Sequence, residues 1–224
     1  MGKLIVGNWK MNGSIKLVDE FILKINKQAI LALPSIFISY VHFKNPELRI
    51  AAQDCSIFDG FGAHTGEISA QMLADAGCKY VIIGHSERRK TSNSDAISNI
   101  LKKLQNVVNC GMTAILCVDE RYAELIDEPT SDILKNHLDK VVIAYEPISA
   151  IGTGKVSSLK DISNVLADIK NSYFGVKTLY GGSVNANNVK DILSIASVDG
   201  VLIGGASLKL EELNKICQIS MCLL

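Results

Sequence analysis

The sequence lacks several features that would assign it to a class of protein at once. Its 23 basic and 23 acidic residues cancel to a formal net charge of +0, so the charge balance gives no reason to expect nucleic acid or an anionic membrane as a partner. No apolar run approaches the length of a membrane span. The apolar stretch near the N-terminus is also too short for a signal peptide.

The six cysteines form none of the spacings that mark a metal centre or a redox pair. None belongs to a C-x-x-C pair, and none has a histidine at zinc-ligand spacing. We therefore expect no metal and six reduced thiols, mostly filling the core of a cytoplasmic protein. The dinucleotide fingerprint G-x-G-x-x-G is absent after the first predicted strand, and we expect no cofactor.

Short apolar runs alternate along the chain with longer amphipathic segments. The apolar fraction of 48% is enough for a sizeable core. The pattern predicts buried strands at Leu4–Val6, Ala29–Leu33, Arg49–Gln53, Lys79–Gly84, Thr113–Val118, Val141–Tyr145, Val176–Tyr180 and Val198–Ile203. It predicts helices from Ile15 and at Ser35–Phe43, Ile68–Ala76, Asp95–Asn109, Ser131–Leu138, Ser158–Tyr173, Asn187–Ile195 and Glu211–Leu224.

Strands that alternate with helices, without hairpins, imply parallel pairing through right-handed crossovers. The predicted fold class is α/β, a closed (β/α)8 TIM barrel in which residues 1–224 form a single domain. A doubly wound open sheet is the alternative, and the missing dinucleotide fingerprint counts against it.

The segment Lys140–Lys155 carries the clearest functional signal. Its buried strand ends at Glu146, and Pro147 follows at once, which stops the strand. A carboxylate is thereby held at the carboxyl end of a strand, which is the catalytic face of a barrel. The apolar tip Ile148–Ile151 and the glycines that follow it suit a lid over a site. An ordinary surface loop is the alternative.

Polar side chains also follow the first and fourth predicted strands. Asn8 and Lys10 follow the first strand, and His85 and Glu87 follow the fourth. His85 stands at a predicted helix start, where the positive end of the helix dipole favours a neutral imidazole that can donate a hydrogen bond. A surface histidine without a role is the alternative.

Glycine pairs follow the last two predicted strands, at Gly181-Gly182 before Ser183 and at Gly204-Gly205. Glycine lets the backbone come close to a ligand, and successive N–H groups can then grip an anion. This is the usual phosphate site of a barrel, although a single glycine pair is commonly just a turn.

A carboxylate base, a neutral donor, a lysine and an anion cradle together favour one reaction. It is proton abstraction beside a carbonyl in a small phosphorylated substrate. Lys10 would stabilise negative charge on the substrate, and the lid would exclude water. Two alternatives stay open: another barrel enzyme acting on a phosphorylated sugar or ribosyl amine, and a barrel that only binds its ligand.

Runs of residues from the first predicted strand to the last resemble the triosephosphate isomerase family. They are VGNWKMN at 6–12, AAQD at 51–54, GAHTGE at 62–67, IGHSERR at 83–89, AYEP at 144–147, AIGTGK at 150–155, YGGSV at 180–184 and DGVLIGGA at 199–206. The resemblance implies interconversion of dihydroxyacetone phosphate and D-glyceraldehyde 3-phosphate through an enediolate, in glycolysis and gluconeogenesis and without a cofactor.

The resemblance also implies a role for individual residues. Glu146 would be the base and His85 the electrophile that polarises the carbonyl. Lys10 and Asn8 would stabilise the substrate oxygen, and Glu87 would support Lys10. The implied contacts to substrate and phosphate are Asn8, Lys10, Gly152, Ser183, Leu202, Gly204 and Gly205.

A homodimer is the assembly that the resemblance implies. The loop Phe58–Glu67 would enter the neighbouring subunit, with Thr65 reaching toward that subunit's Asn8.

Several positions depart from the family pattern. Ser149 stands in the lid where tryptophan is usual, and His64 stands where another aromatic ring is usual. The glutamate that usually follows the two arginines is missing, which leaves open whether Arg88 keeps a carboxylate partner. Asp119 replaces a common glycine, and the short segment after it predicts a trimmed fifth helix.

Overall fold

A closed barrel of eight parallel strands forms the centre of the molecule. The computed structural model describes residues 2–91, 96–120, 128–147 and 157–223. The strands are β1 (Leu4–Asn8), β2 (Ala29–Leu33), β3 (Arg49–Ala52), β4 (Tyr80–Ile83), β5 (Thr113–Val118), β6 (Val141–Tyr145), β7 (Lys177–Gly182) and β8 (Gly200–Ile203). They pair in chain order, and β8 closes on β1. The predicted (β/α)8 barrel is confirmed.

Helices connect most of the strands. They are α1 (Ile15–Lys24), α2 (Ser35–Lys44), α3 (Ala70–Asp75), α4 (Ser86–Thr91), α5 (Ile97–Asn109), α6 (Glu128–Asn136), α7 (Leu159–Ser172), α8 (Val189–Leu193) and α9 (Leu210–Met221). Among the described residues, 3₁₀ turns occur at Leu138–Lys140 and Gly205–Leu208. The helix start predicted at His85 corresponds to α4, but the sequence pattern gave no extent for this helix because its residues, SERRKT, include no apolar side chain that could reveal a helical period.

The loop after β1 is fixed by α1. The Ser14 side chain caps α1 by accepting a hydrogen bond from the Leu17 N–H, an interaction typically worth about 1 kcal/mol. Phe21 on the buried face of α1 packs edge-on against Trp9, with ring centroids 4.8 Å apart. This contact holds Trp9, which lies between Asn8 and Lys10, against α1.

The strands bury both of their faces, which explains their continuous apolar runs. In β6, Val142 and Ala144 belong to the cluster that fills the barrel, whereas Val141 and Ile143 belong to the cluster between barrel and helices. The barrel interior is therefore a packed core, and the open space lies at its mouth.

The predicted membrane and cysteine properties can be compared with the coordinates. Within the described ranges, no helix is both long enough and apolar enough to cross a membrane. All six cysteines lie within the described residues, and none of them is part of a disulfide.

Arg88 has a carboxylate partner after all, and it comes from a distant part of the chain. Its Nε atom lies 2.7 Å from Oδ2 of Asp54, just beyond β3. Both oxygens of Asp54 also lie 2.9 Å from Nζ of Lys103, whose side chain is only 2% exposed. One partly buried carboxylate thus contacts two cations and ties α4 and α5 to the end of β3.

Candidate active site

A cavity of about 300 Å³ opens at the carboxyl ends of the strands. It brings together side chains and glycines that are far apart in the sequence. Its lining is Asn8, Lys10, His85, Glu146, Gly181, Gly182, Ser183, Val184, Asn185, Leu202, Gly204, Gly205 and Ala206. Most of the residues proposed from the sequence therefore meet at the expected face of the barrel.

Glu146 and His85 contact each other directly at this mouth. Oε1 of Glu146 lies 3.0 Å from Nε2 of His85, and both residues are buried. The backbone N–H of Glu87 donates to Nδ1 of His85 at 3.2 Å. Because Nδ1 accepts this hydrogen bond, the proton of the neutral imidazole belongs on Nε2, where it can be donated to Glu146 or to a substrate oxygen.

The Glu146 carboxyl is kept ionised by its neighbours. Burial alone would raise its pKa, but the hydrogen bond from His85, the N–H of Ser86 and the charge of Arg89 outweigh it and lower the pKa. The thiol of Cys117 lies beside this carboxylate, and burial together with the negative charge raises its pKa well above the usual range. An ionised Glu146 is the form that a general base requires.

Glu146 owes its position to its own backbone and to a glycine on the next strand. Its N–H donates to the carbonyl oxygen of Val118 at 2.7 Å, which extends the pairing of β5 and β6. A Cβ atom at Gly181 would lie only 2.9 Å from Cγ of Glu146. Gly181 and Gly182 lie within β7, and Gly181 gives the Glu146 side chain its space.

Lys10 has an unusual backbone conformation, with φ of +54°. Such strain typically costs about 1–3 kcal/mol and persists only where surrounding contacts hold it. The Lys10 N–H donates to Oδ1 of Asn8 at 3.0 Å, and its carbonyl accepts from Nε2 of Gln53 at 3.0 Å. Its Nζ lies 2.5 Å from Oε1 of Glu87. The backbone and the ammonium group are thus fixed separately.

Gln53 was not identified as a site residue from the sequence. Its amide nitrogen donates to the carbonyls of both Lys10 and Ala32, so it joins the loop after β1 to the barrel. The only signal for it in the sequence was its membership of the AAQD run at 51–54.

Besides Glu146 and His85, the cavity is lined by glycine-rich backbone. A Cβ atom at Gly205 would meet nothing within 4 Å, and one at Gly204 would lie 3.5 Å from Cε of Lys10. The 3₁₀ turn Gly205–Leu208 begins here. Leu202 and Ser183 contribute to the same wall.

Glu87 and Thr65 are not among the described residues that line this cavity. Glu87 reaches the site through Lys10. Gly152 and the departure at Ser149 lie outside the described residues, together with the rest of the lid. Thr65 is exposed on the loop before α3.

His64, on the same loop as Thr65, stacks on Phe58. Their ring centroids are 3.5 Å apart and their planes are 4° from parallel. The imidazole therefore provides a ring contact of the kind expected from the aromatic residue that it replaces.

The fold and the groups at its mouth define an α/β barrel enzyme equipped to move a proton with a carboxylate. The model of the triosephosphate isomerase family matches residues 3–220. The chain belongs to the triosephosphate isomerase family.

Individual relatives agree with this assignment. A protein of Francisella philomiragia named triosephosphate isomerase is 40% identical over 245 aligned positions, which cover 96% of each chain. One from Shewanella loihica with the same name is 38% identical and covers 97% of each chain. The crystal structure of triosephosphate isomerase from Bartonella henselae superposes with a TM-score of 0.82 at 32% identity, covering 99% of this chain and 100% of that one.

Proposed function

We propose that the chain interconverts dihydroxyacetone phosphate and D-glyceraldehyde 3-phosphate, as an enzyme of glycolysis and gluconeogenesis. The observation that carries this proposal is the contact of Glu146 with His85 inside a cavity that also holds Lys10 and glycine-rich backbone. This set supplies a base, an electrophile, a positive charge and an anion cradle, and the reaction needs nothing more.

Glu146 and His85 carry the proton chemistry in this proposal. The Glu146 carboxylate removes the proton from the carbon beside the substrate carbonyl, and it becomes a carboxylic acid. The carbonyl oxygen gains negative charge as the enediolate forms, and the Nε2–H of His85 donates a hydrogen bond to it. Glu146 then returns the proton to the former carbonyl carbon, while the proton of the adjacent hydroxyl moves to the former carbonyl oxygen, so that the hydroxyl carbon becomes the new carbonyl. Substrate therefore has to take over the hydrogen bond that His85 now makes to Glu146.

Lys10 and Asn8 stabilise the charge that develops on the substrate. Lys10 is held by Glu87, which keeps the ammonium group at the rim of the cavity. The phosphate group is bound on the opposite wall, by the backbone around Gly204 and Gly205 with Ser183 and Leu202. The family resemblance adds Gly152 to this set.

A coupled assay with each triose phosphate tests the function. We expect turnover in both directions, and we expect inhibition by a phosphoglycolate-type anion that mimics the enediolate. Unphosphorylated glyceraldehyde serves as the control and should react far more slowly, because the phosphate wall has nothing to bind. A folded protein that turns over neither triose phosphate would refute the proposal.

We infer that the enzyme is a homodimer in which Phe58–Glu67 of one copy enters the other. A second cavity of about 370 Å³ lies beside Lys10 and Met11, and it could receive such a loop. Met11 is 97% exposed and Phe61 76% exposed in the single chain, which supports their burial by a second copy. In that arrangement Thr65 reaches toward the neighbouring Asn8.

Sedimentation at micromolar concentration tests the assembly, and we expect the mass of two chains. A monomer with full activity would contradict the interlocking loop.

Within this proposal residues 1–224 are one domain, which predicts a single cooperative unfolding transition. The enzyme acts on a small substrate in the cytoplasm, with neither nucleic acid nor membrane as partner.

A further inference from the structure

Arg89 joins the carboxyl ends of two neighbouring strands beneath the active site. Its Nη1 atom donates to the carbonyl oxygen of Gly84, which follows β4, and to that of Cys117 in β5 at 2.9 Å. Its Nη2 atom lies 2.9 Å from Oδ2 of Asp119, which follows β5 directly. The two side chains are only 11% and 3% exposed, so this is a buried ion pair.

This ion pair is linked by backbone hydrogen bonds to both groups assigned to proton transfer. On one side, Arg89 belongs to the helix α4, whose first turn follows His85, and its N–H donates to the His85 carbonyl at 3.1 Å. On the other side, Val118 precedes Asp119 and accepts the backbone N–H of Glu146 at 2.7 Å. A continuous path of contacts thus runs from His85 through Arg89 and β5 to Glu146.

Asp119 is an unexpected residue at this place. Burying a carboxylate is costly unless a cation and hydrogen bonds compensate for its lost hydration. The Arg89 guanidinium provides both, with a planar fork that can serve two carbonyls and a carboxylate at once. The glycine that the family usually has here could not anchor the arginine.

We propose that Asp119 is a positioning residue for the isomerase reaction, because it anchors Arg89 and so fixes the distance between His85 and Glu146. This inference rests on the roles proposed above for those two residues. The charge of Arg89 also contributes to the lowered pKa of Glu146, so anchoring the cation keeps that contribution in place. The phosphate wall lies on β7 and β8, away from the ion pair, and its grip on substrate should not depend on Asp119.

The test compares Asp119→Asn with Asp168→Asn, a control at an exposed aspartate on α7. Asp119→Asn should lower kcat by roughly 10- to 100-fold, the scale expected for a small misplacement of reacting groups. KM should stay within about twofold, because binding to the phosphate wall is retained. The control should match the parent enzyme in both constants.

A proton NMR measurement separates positioning from a general loss of stability. The chain has only four histidines, so the His85 Nε2 proton can be assigned with a Glu146→Gln variant. In folded Asp119→Asn this signal should shift or broaden through exchange, whereas it should be unchanged in Asp168→Asn. Arg89→Lys is the second variant, since it keeps a cation beside Asp119 but loses the fork. Arg89→Lys should show the same decrease in kcat and the same change in the His85 signal.

Parent-like kcat and an unshifted His85 signal in folded Asp119→Asn would overturn the proposal. If that variant does not fold, the same result in Arg89→Lys would overturn it. A change confined to KM would overturn it as well. These outcomes are distinct from failure of the proposed function, which would appear as a parent enzyme without isomerase activity or with no need for Glu146.

Discussion

Replacing Glu146 with glutamine should lower kcat by about 10²- to 10⁴-fold, the range typical for loss of a general base. Glutamine keeps nearly the same shape and still fits the space that Gly181 leaves open. It cannot accept a proton from carbon, however, so the chemical step fails while substrate binding survives. A coupled assay for kcat and a binding measurement with a phosphoglycolate-type anion would show the two effects separately.

Glu20→Gln provides a matched control, because Glu20 is an exposed glutamate on α1 and its replacement should leave kcat unchanged. Near-normal turnover by Glu146→Gln would refute the assignment of the base.

The lowered pKa of Glu146 also has a consequence for stability. Its contribution is present above the unfolded pKa and is lost as pH falls through the lower folded pKa, and the glutamine variant should lack this pH dependence.

The second large effect is expected from Asp54→Ala, which should reduce the free energy of unfolding by about 3–5 kcal/mol. The substitution removes the carboxylate that contacts both Arg88 and the buried Lys103. The buried Lys103 ammonium would then lose a carboxylate contact that offsets its lost hydration, which costs far more than the loss of an exposed ion pair. Urea denaturation followed by circular dichroism measures the change.

The double variant Asp54→Ala with Lys103→Met tests the reason for that effect. Methionine fills the space of the lysine stem without a charge, so it should restore much of the lost stability. A loss of less than about 1 kcal/mol in the free energy of unfolding of the single variant would show that the Asp54 carboxylate contributes little to stability. If the double variant is no more stable than the single one, the lost stability does not come from the charge of Lys103.

The strands of this protein could be predicted closely because their sequences are unbroken apolar runs. The predicted bounds of β2, β5 and β6 agree with the structure at both ends. The barrel order followed from the alternation of strands and helices. Local polar segments gave no comparable signal, so only the start of α4 was predicted, and α6 begins at Glu128, before the predicted Ser131.

The acid–base residues could be proposed because strand ends in a parallel barrel meet at one face. The contacts that hold these residues in place could not be predicted, because they join residues that are far apart in the chain. The Gln53 bond to Lys10 is one example, and the Asp54 contact with Arg88 is another. Gly181 was interpreted as part of an anion cradle, and only coordinates could show that it makes room for a neighbouring carboxylate.

The pairing of β1 with β8 has a consequence for when activity can arise. Lys10 follows the first strand and Gly204 the last, yet a Cβ at Gly204 would lie 3.5 Å from Cε of Lys10. A nascent polypeptide on the ribosome carries Lys10 long before Gly204 is made. Fragments released early in translation therefore lack isomerase activity, and the cell gains this activity only from chains whose synthesis reaches the final strand.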